Sequence, residues 1–409
     1  MEFKKQTLDN GMDVIGELNP SAKSVAVGFF VKTGSRDETE QINGVSHFLE
    51  HMLFKGTDKY SATAVNEAFD KLGAEYNAGT SWENTIFHAA VLPEYAVDVT
   101  KIWIELMRPA LRDDDFNMEK QVIKEEIAMY KDTPAFDVLD RCRKLHFGTH
   151  PCGNSILGTE QGIDGLTAEQ MREYFTRRYG PNNLLFACAG NFDWQAICAA
   201  LEKTCSTWQR QPAGREVQPC RGSKKKERIE KSNLTYEHLC LMSPAVPAQD
   251  ERRFAAYLLA TIVGDSVGSR YYWELIDKAL AETASLQFGP MDGTGVFCTY
   301  IRCSTENVPK VLDTVTSIFA DLAEGGVKED ELQKAKNKTL STLVIENELS
   351  HGRLMRLGAN WQYLQQYRTV EEDIDSINAV TTEDIHSLIA ELDLGDFTQF
   401  AIGPEKPTK

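Results

Sequence analysis

"GVSHFLEHMLFKGT", residues 44 to 57, sets two histidines and a glutamate into a segment that is otherwise largely apolar. Wound as a helix at about 100° per residue, His47 and His51 lie roughly 40° apart, with Glu50 beside them on the same narrow side. Val45, Phe48, Leu49, Met52 and Leu53 occupy the other side. Such a helix buries apolar surface and carries a titratable stripe, and burying that stripe unpaired is expensive. Two histidines at i and i+4 aim two ring nitrogens at one point, as a single helix does when it supplies two ligands to Zn2+. The glutamate between them is too close to be a third ligand and can reach a metal-bound water. The alternative is a pair of core histidines satisfied by backbone carbonyls. A third ligand elsewhere in the chain separates the two accounts.

The place to look for it is "FNMEKQVIKEEIAMY", residues 116 to 130, which follows Asp113, Asp114 and Asp115 as candidate N-caps and reads as an amphipathic helix. Winding it puts Phe116, Val122, Ile123, Ile127 and Tyr130 on one arc of roughly 140°. Glu119 and Glu126 fall inside that arc, and Glu125 points away. Helical phase therefore selects Glu126 over its neighbour as a ligand. The competing account of both inward glutamates is the ragged edge of an exposed face.

Composition narrows the remaining classes. A chain of 409 residues with 42% hydrophobic content can bury a sizeable core and divides into more than one domain. The formal net charge of −17 repels a phosphate backbone, so nucleic acid is not an expected partner. "MEFKKQTLDNGMDVIGEL" has no uninterrupted apolar core, and "VAVGFFV", residues 25 to 31, is too short to span a bilayer, so no membrane association is expected. Nine cysteines without a CxxC pair argue for neither a disulfide framework nor a cysteine-held zinc, and a reducing cytoplasm is the simplest compartment.

The Pro/Gly-rich and charged stretch ending in "SKKKER" reads as a solvated linker, and it divides the chain into a first domain carrying the histidine motif (1–212), a linker (213–228) and a second domain (229–409). A weak internal repeat spans the two halves. "VLPEYAVDVTKIWIELM" and "CSTENVPKVLDTVTSIFADLA" both leave a strand-like segment, turn at a glutamate (Glu94, Glu306) and enter a helix. A further helix follows each, beginning near Phe116 and Leu332. The expected fold class is α+β, with two homologous-looking α/β-sandwich halves of mostly antiparallel sheet and packed helices.

His47, Glu50 and His51, followed by Glu126 in "VIKEEI", form an HxxEH pattern that resembles the inverted zinc motif of the pitrilysin/insulinase family of metallopeptidases, the inverzincins. "LGAEYNAGTSWENTIFHAAV", "FNMEKQVIKEEIAMYKDTP", "HPCGNSILGT" and "YFTRRYGPNNLLFACAGNFD" extend the resemblance from about residue 8 to residue 194. Within the family, the two-domain bacterial relatives of mitochondrial processing peptidase are the most similar in plan. The resemblance implies His47, His51 and Glu126 as zinc ligands, Glu50 as general base, and Glu119 as a partner behind the ligands. It implies hydrolysis of peptide bonds in unfolded peptides: zinc with an open fourth position activates water, and Glu50 carries the proton to the leaving amine.

The strand-like segment 74 to 91 corresponds to the family's exposed edge strand, which implies backbone contacts to an extended substrate at Asn77, Ala78 and Gly79. An ordinary strand with a bulge at Gly79 fits the same residues. His88 reads as a core or cross-strand residue, and His146 and His150 as loop residues, since none has a partner at ligand spacing. In the second half, "IVGDSVGSRYYWELIDKALAE" resembles the start of a helix in the family's non-catalytic domain, which implies a substrate role for Arg270. No HxxEH occurs there. The arginine and tyrosine that usually follow are replaced by Ile276 and approximately Glu282. In related processing peptidases two such chains enclose a chamber, which implies a homodimer, or a heterodimer with a related metal-free chain. The same fold also serves as a non-catalytic structural or partner subunit, and that is the competing function.

Overall fold

The computed structural model describes residues 1–405. Two compact units emerge, each assembled from separate stretches of chain. The first comprises Met1–Ala128, Asn154–Glu216 and Val344–Arg368; the second comprises Met129–Gly153, Val217–Leu343 and the chain from Thr369 on. The crossing at Glu216 and Val217 lies inside the stretch 213–228. The segments 129–153 and 344–368 belong to the unit opposite to their neighbours in sequence, and both begin inside continuous helices, Asp113–Asp132 and Glu329–Glu348. Nothing in local composition marks a boundary within a helix.

The first unit is built on β1 (Glu2–Thr7), β2 (Asp13–Leu18), β3 (Val25–Val31), β4 (Glu75–Thr80), β5 (Thr85–Val91) and β6 (Leu184–Gly190), in spatial order β1-β2-β6-β3-β5-β4. β2 and β6 run parallel and the other neighbours antiparallel. The apolar run of β3 is buried at every position because both faces of the sheet are covered. Val27, Phe29 and Val31 face the core shared with the helix Val45–Leu53, while Ala26 and Phe30 face Leu354, Leu357 and Trp361 of the helix Ser350–Leu364. That helix lies close to the sheet at Gly358, where an added Cβ would sit 2.2 Å from the Phe30 ring.

The second unit is built on β7 (Lys226–Lys231), β8 (Glu237–Ala245), β9 (Thr283–Met291), β10 (Thr294–Cys303) and β11 (Thr398–Pro404), in order β7-β11-β8-β10-β9. β7 and β11 are parallel and the rest antiparallel. Strand for strand, this repeats the order and senses of β2-β6-β3-β5-β4, so the faint repeat in the sequence is a duplicated topology. The helix Pro134–Phe147 packs on β8 and β11 through Val138 and Cys142.

Three local readings need correction. Residues 74 to 91 are not one strand but the hairpin β4–β5, closed at Ser81 and Asn84 by the bond from Ser81 N to Asn84 O at 2.8 Å. The stretch 213–228 is not a wholly solvated linker: the Arg215 side chain is 4% exposed against Asp37, and Lys226 opens β7. His146 lies in a helix, buried, with Nδ1 3.1 Å from Thr398 Oγ1, and so is no loop residue. No helix among the described residues is long and apolar enough to cross a membrane.

The helix Ser350–Leu364 is fastened to β2 by a buried ion pair. Arg353 Nε donates to Glu17 Oε1 at 2.8 Å, its Nη2 also reaches Glu17, and the Tyr367 hydroxyl donates to Glu17 Oε2 at 2.8 Å. The Arg353 and Glu17 side chains are 5% and 2% exposed. Arg353→Met strands the Glu17 carboxylate in the interior, and the expected loss is about 3–5 kcal/mol of unfolding free energy. The measurement is the urea midpoint, which should partly recover when Glu17→Met is added.

Candidate metal centre

The motif helix Val45–Leu53 begins at Gly44, whose φ of 95° is left-handed and where a Cβ would meet Leu157 O at 2.6 Å. Glycine is therefore required, and it has no side chain with which to cap the helix. Glu38 does so from outside: its Oε2 accepts Gly44 N and its Oε1 accepts Ser46 N, both at 2.7 Å. A carboxylate at this end also suits the helix dipole. The apolar side of the helix, Val45, Phe48, Leu49, Met52 and Leu53, is buried as the spacing predicts, and Phe48 stacks on Phe116 at 4.7 Å between ring centroids.

Phe116 belongs to the helix Asp113–Asp132, whose buried residues are Phe116, Glu119, Ile123 and Ile127. Val122, expected on the buried arc, is 44% exposed. The real stripe follows i, i+3, i+7, i+11 and is narrower than the predicted arc. Glu125 is exposed and Glu126 half-buried, in agreement with the helical phase.

His47, His51 and Glu126 come together with one potential ligand atom each, all within 4.8 Å of one another. His47 Nε2 lies 3.6 Å from Glu126 Oε1, and His51 Nε2 lies 3.6 Å from Glu126 Oε2. These separations exceed a hydrogen bond and approach the ~3.4 Å edge of a tetrahedron with metal–ligand distances of about 2.0–2.1 Å. Behind the ligands, Glu119 Oε1 is 2.8 Å from His51 Nδ1 and Lys55 pairs with the other Glu119 oxygen. This contact leaves His51 Nε2 as the free ring nitrogen. Among the described residues, His47 Nδ1 is buried without a hydrogen-bond partner.

Burial pulls His47 down to about 3, helped by the neighbouring His51, so that its nitrogens are neutral and one lone pair is available. Burial opposes charge on His51 too, but the bond to Glu119 and the charges of Glu126 and Glu50 outweigh it and raise its pKa. Burial raises Glu50, with the charge of Glu126 adding to it, and burial raises Glu126, with the charge of Glu119 adding to it. Glu119 is lowered despite burial, by His51 and Lys55. Three carboxylates around two imidazoles, with Lys55 as the nearby cation, make a pocket short of positive charge. A divalent cation fits this donor set.

Glu50 stands outside the three-ligand set, its Oε2 accepting from Thr80 Oγ1 at 2.6 Å. Asn77, Ala78 and Gly79 lie on β4, the outer strand of the sheet, which pairs with β5 on its other side. Pairing runs unbroken from Glu75 with Ala90 to Thr80 with Thr85, so Gly79 makes no bulge. Arg270 lies in the second unit, where its Nε and Nη2 each meet a Glu331 oxygen at 2.9 Å and Nη2 also donates to Gly326 O at 3.0 Å. Ile276 packs against the second core and Glu282 pairs with Arg302 at 2.7 Å.

Thr80, Lys55 and Glu38 were not found by sequence reasoning. Lys55 sits at i+4 from His51 and was within reach of the same helical argument. Strand parity points Thr80 toward the motif helix only once β4 is known to lie beside it. Glu38 has no capping-box spacing to reveal it.

A duplicated α+β fold in which one unit brings together two histidines and a glutamate that could hold a metal ion points to a metallopeptidase-like class of protein. Residues 13–160 match the family described as insulinase (peptidase family M16), and residues 165–339 match the peptidase M16 inactive domain. The chain is 31% identical over 405 residues to the uncharacterised zinc protease YmxG of Bacillus subtilis, covering 98% of each. Among solved structures, a protease from Helicobacter pylori superposes with a TM-score of 0.90 at 20% identity, covering 98% of this chain and 100% of that one. A peptidase M16 inactive domain from Pseudomonas fluorescens gives 0.91 at 19% identity, covering 100% and 99%. This chain belongs to peptidase family M16.

Two outcomes follow from the contacts behind the ligands. Glu119→Gln should weaken divalent-metal affinity by about ten- to a hundredfold while the fold survives, measured by chelator competition. Glu38→Ala leaves two helix-start amides unsatisfied and should lower unfolding free energy by about 1–3 kcal/mol, seen in a denaturant titration.

Proposed function

We propose that this chain is a zinc-dependent endopeptidase that hydrolyses unfolded peptides or oligopeptides. The observation that carries the reading is the separation of roles among three nearby glutamates. Glu126 joins the two histidines, Glu119 steers His51 from behind, and Glu50 is kept out of the ligand set by the Thr80 hydroxyl. His47, His51 and Glu126 would hold the ion, whose contribution when bound is to acidify a water and polarise a carbonyl. Glu50 would accept the proton of the attacking water and return it to the leaving amine. The raised basicity that burial gives Glu50 suits a group that must hold a proton between the two transfers.

The outer strand β4 would seat the substrate. Its exposed residues Asn77 and Gly79 flank Ala78, and among the described residues β4 pairs with β5 alone, which leaves its other main-chain edge for an extended chain. Pairing through the main chain selects extended conformation over side-chain identity. Arg270 is a weaker candidate for substrate, because its donors are engaged by Glu331 and Gly326. The family's arginine and tyrosine, absent at Ile276 and Glu282, would come from a second copy or a related chain, which makes a homodimer or heterodimer the proposed working form. A cytoplasmic location is proposed with it.

The test is elemental analysis of the purified protein together with cleavage of a quenched unstructured peptide. The expected result is about one zinc per chain, retained in Glu50→Gln and lost in His51→Ala, with hydrolysis abolished in both. Zinc binding without hydrolysis by the wild type, alone or mixed with a related chain, overturns the enzymatic reading in favour of a non-catalytic subunit.

A further inference from the structure

We propose that Thr80 is a positioning residue for Glu50, and that through it the outer strand β4 holds the proton-handling carboxylate at the metal cluster. The inference rests on the metallopeptidase reading.

Alternation on β4 sets the geometry. Tyr76, Ala78 and Thr80 are half-buried on the side of the motif helix, with Tyr76 stacked on Phe69 at 4.0 Å, while Glu75, Asn77 and Gly79 are exposed. Ala78 N is bonded by Asn77 Oδ1 at 2.9 Å, as an amide on the outer edge would be. Two residues further, Thr80 repeats that orientation, and its hydroxyl donates to Glu50 Oε2 at 2.6 Å. The Thr80 hydroxyl has one proton. Thr85 Oγ1, which donates to Thr33 O at 3.0 Å, lies 3.4 Å away as a competing acceptor, and Glu50 Oε2 at 2.6 Å is the much closer one.

The strand end that carries Thr80 is itself clamped. Asn84 Nδ2 donates to the Tyr363 hydroxyl at 3.0 Å, and that hydroxyl donates to Glu83 Oε2 at 2.8 Å. Arg36 holds the other Glu83 oxygen at 2.5 Å, and the Arg36 and Glu83 side chains are 1% and 2% exposed. A glutamate left to itself samples many rotamers, and Glu126 repels it. The fixed hydroxyl selects one rotamer of Glu50 beside the ligands and outside their set.

The variants are Thr80→Val, which keeps the shape and removes the donor, and Thr80→Ser, which keeps the donor. Steady-state cleavage of the quenched peptide should show kcat reduced at least about tenfold in Thr80→Val. KM should stay within about twofold and zinc content should be unchanged, and Thr80→Ser should restore most of kcat. Wild-type kcat in Thr80→Val, an equal loss in Thr80→Ser, or loss of zinc from Thr80→Val each overturns the proposal.

A second readout needs no turnover. In the metal-free protein, Thr80→Val should shift Tm in the wild-type background and leave it unmoved in a Glu50→Ala background. The same shift in both backgrounds overturns the contact. A wild type that never cleaves defeats the peptidase reading, and this thermal cycle then decides Thr80 separately.

Discussion

A deficit of positive charge in a half-buried pocket is the constraint on which the first unit turns. His47, His51 and three glutamates are drawn together from two helices far apart in sequence, and burial resists charge on every one of them. An arrangement of that kind persists only when something offsets it. Lys55 neutralises Glu119, Thr80 satisfies Glu50, and the space shared by His47, His51 and Glu126 is shaped for a divalent ion. Each of the three carboxylates has a different set of partners.

The surrounding fold makes the arrangement rigid. Gly44 starts the motif helix in a conformation that other residues avoid, and Glu38 replaces the cap that glycine lacks. Phe48 on Phe116 packs the motif helix against the glutamate helix, one turn from Glu119. On the far face of the sheet, Arg353 and Glu17 tie down the helix that covers Phe30. A metal-binding set of side chains is sensitive to small displacements, and these contacts restrict them.

Duplication explains what the second unit contributes and what it lacks. Its sheet repeats the strand order and senses of the first, yet its chain carries no HxxEH; the match to the peptidase M16 inactive domain begins at residue 165, within the first unit, and runs to residue 339 of the second. Arg270 and Glu331 form a two-pronged pair inside this unit, and Ile276 serves its core. Arg270, whose position in a motif implied a substrate contact, has Glu331 and Gly326 as its partners within this unit.

By itself the sequence determined the chemistry-bearing helices. A period of 3.6 residues puts His47, Glu50 and His51 on one side of their helix and chooses Glu126 over Glu125, because helical phase is a local property that needs no knowledge of neighbours. It also carried the faint duplication, since repeated strand-helix successions leave a trace in polarity. Tertiary structure decided the rest. Thr80 meets Glu50 only because the hairpin β4–β5 lies against the motif helix, and Glu38 caps that helix across an irregular loop. The exchange of residues 129–153 and 344–368 between units begins inside helices whose sequence runs on without a break. Packing partners and the ends of long-range contacts depend on which surfaces meet, and surfaces meet only after the chain has folded.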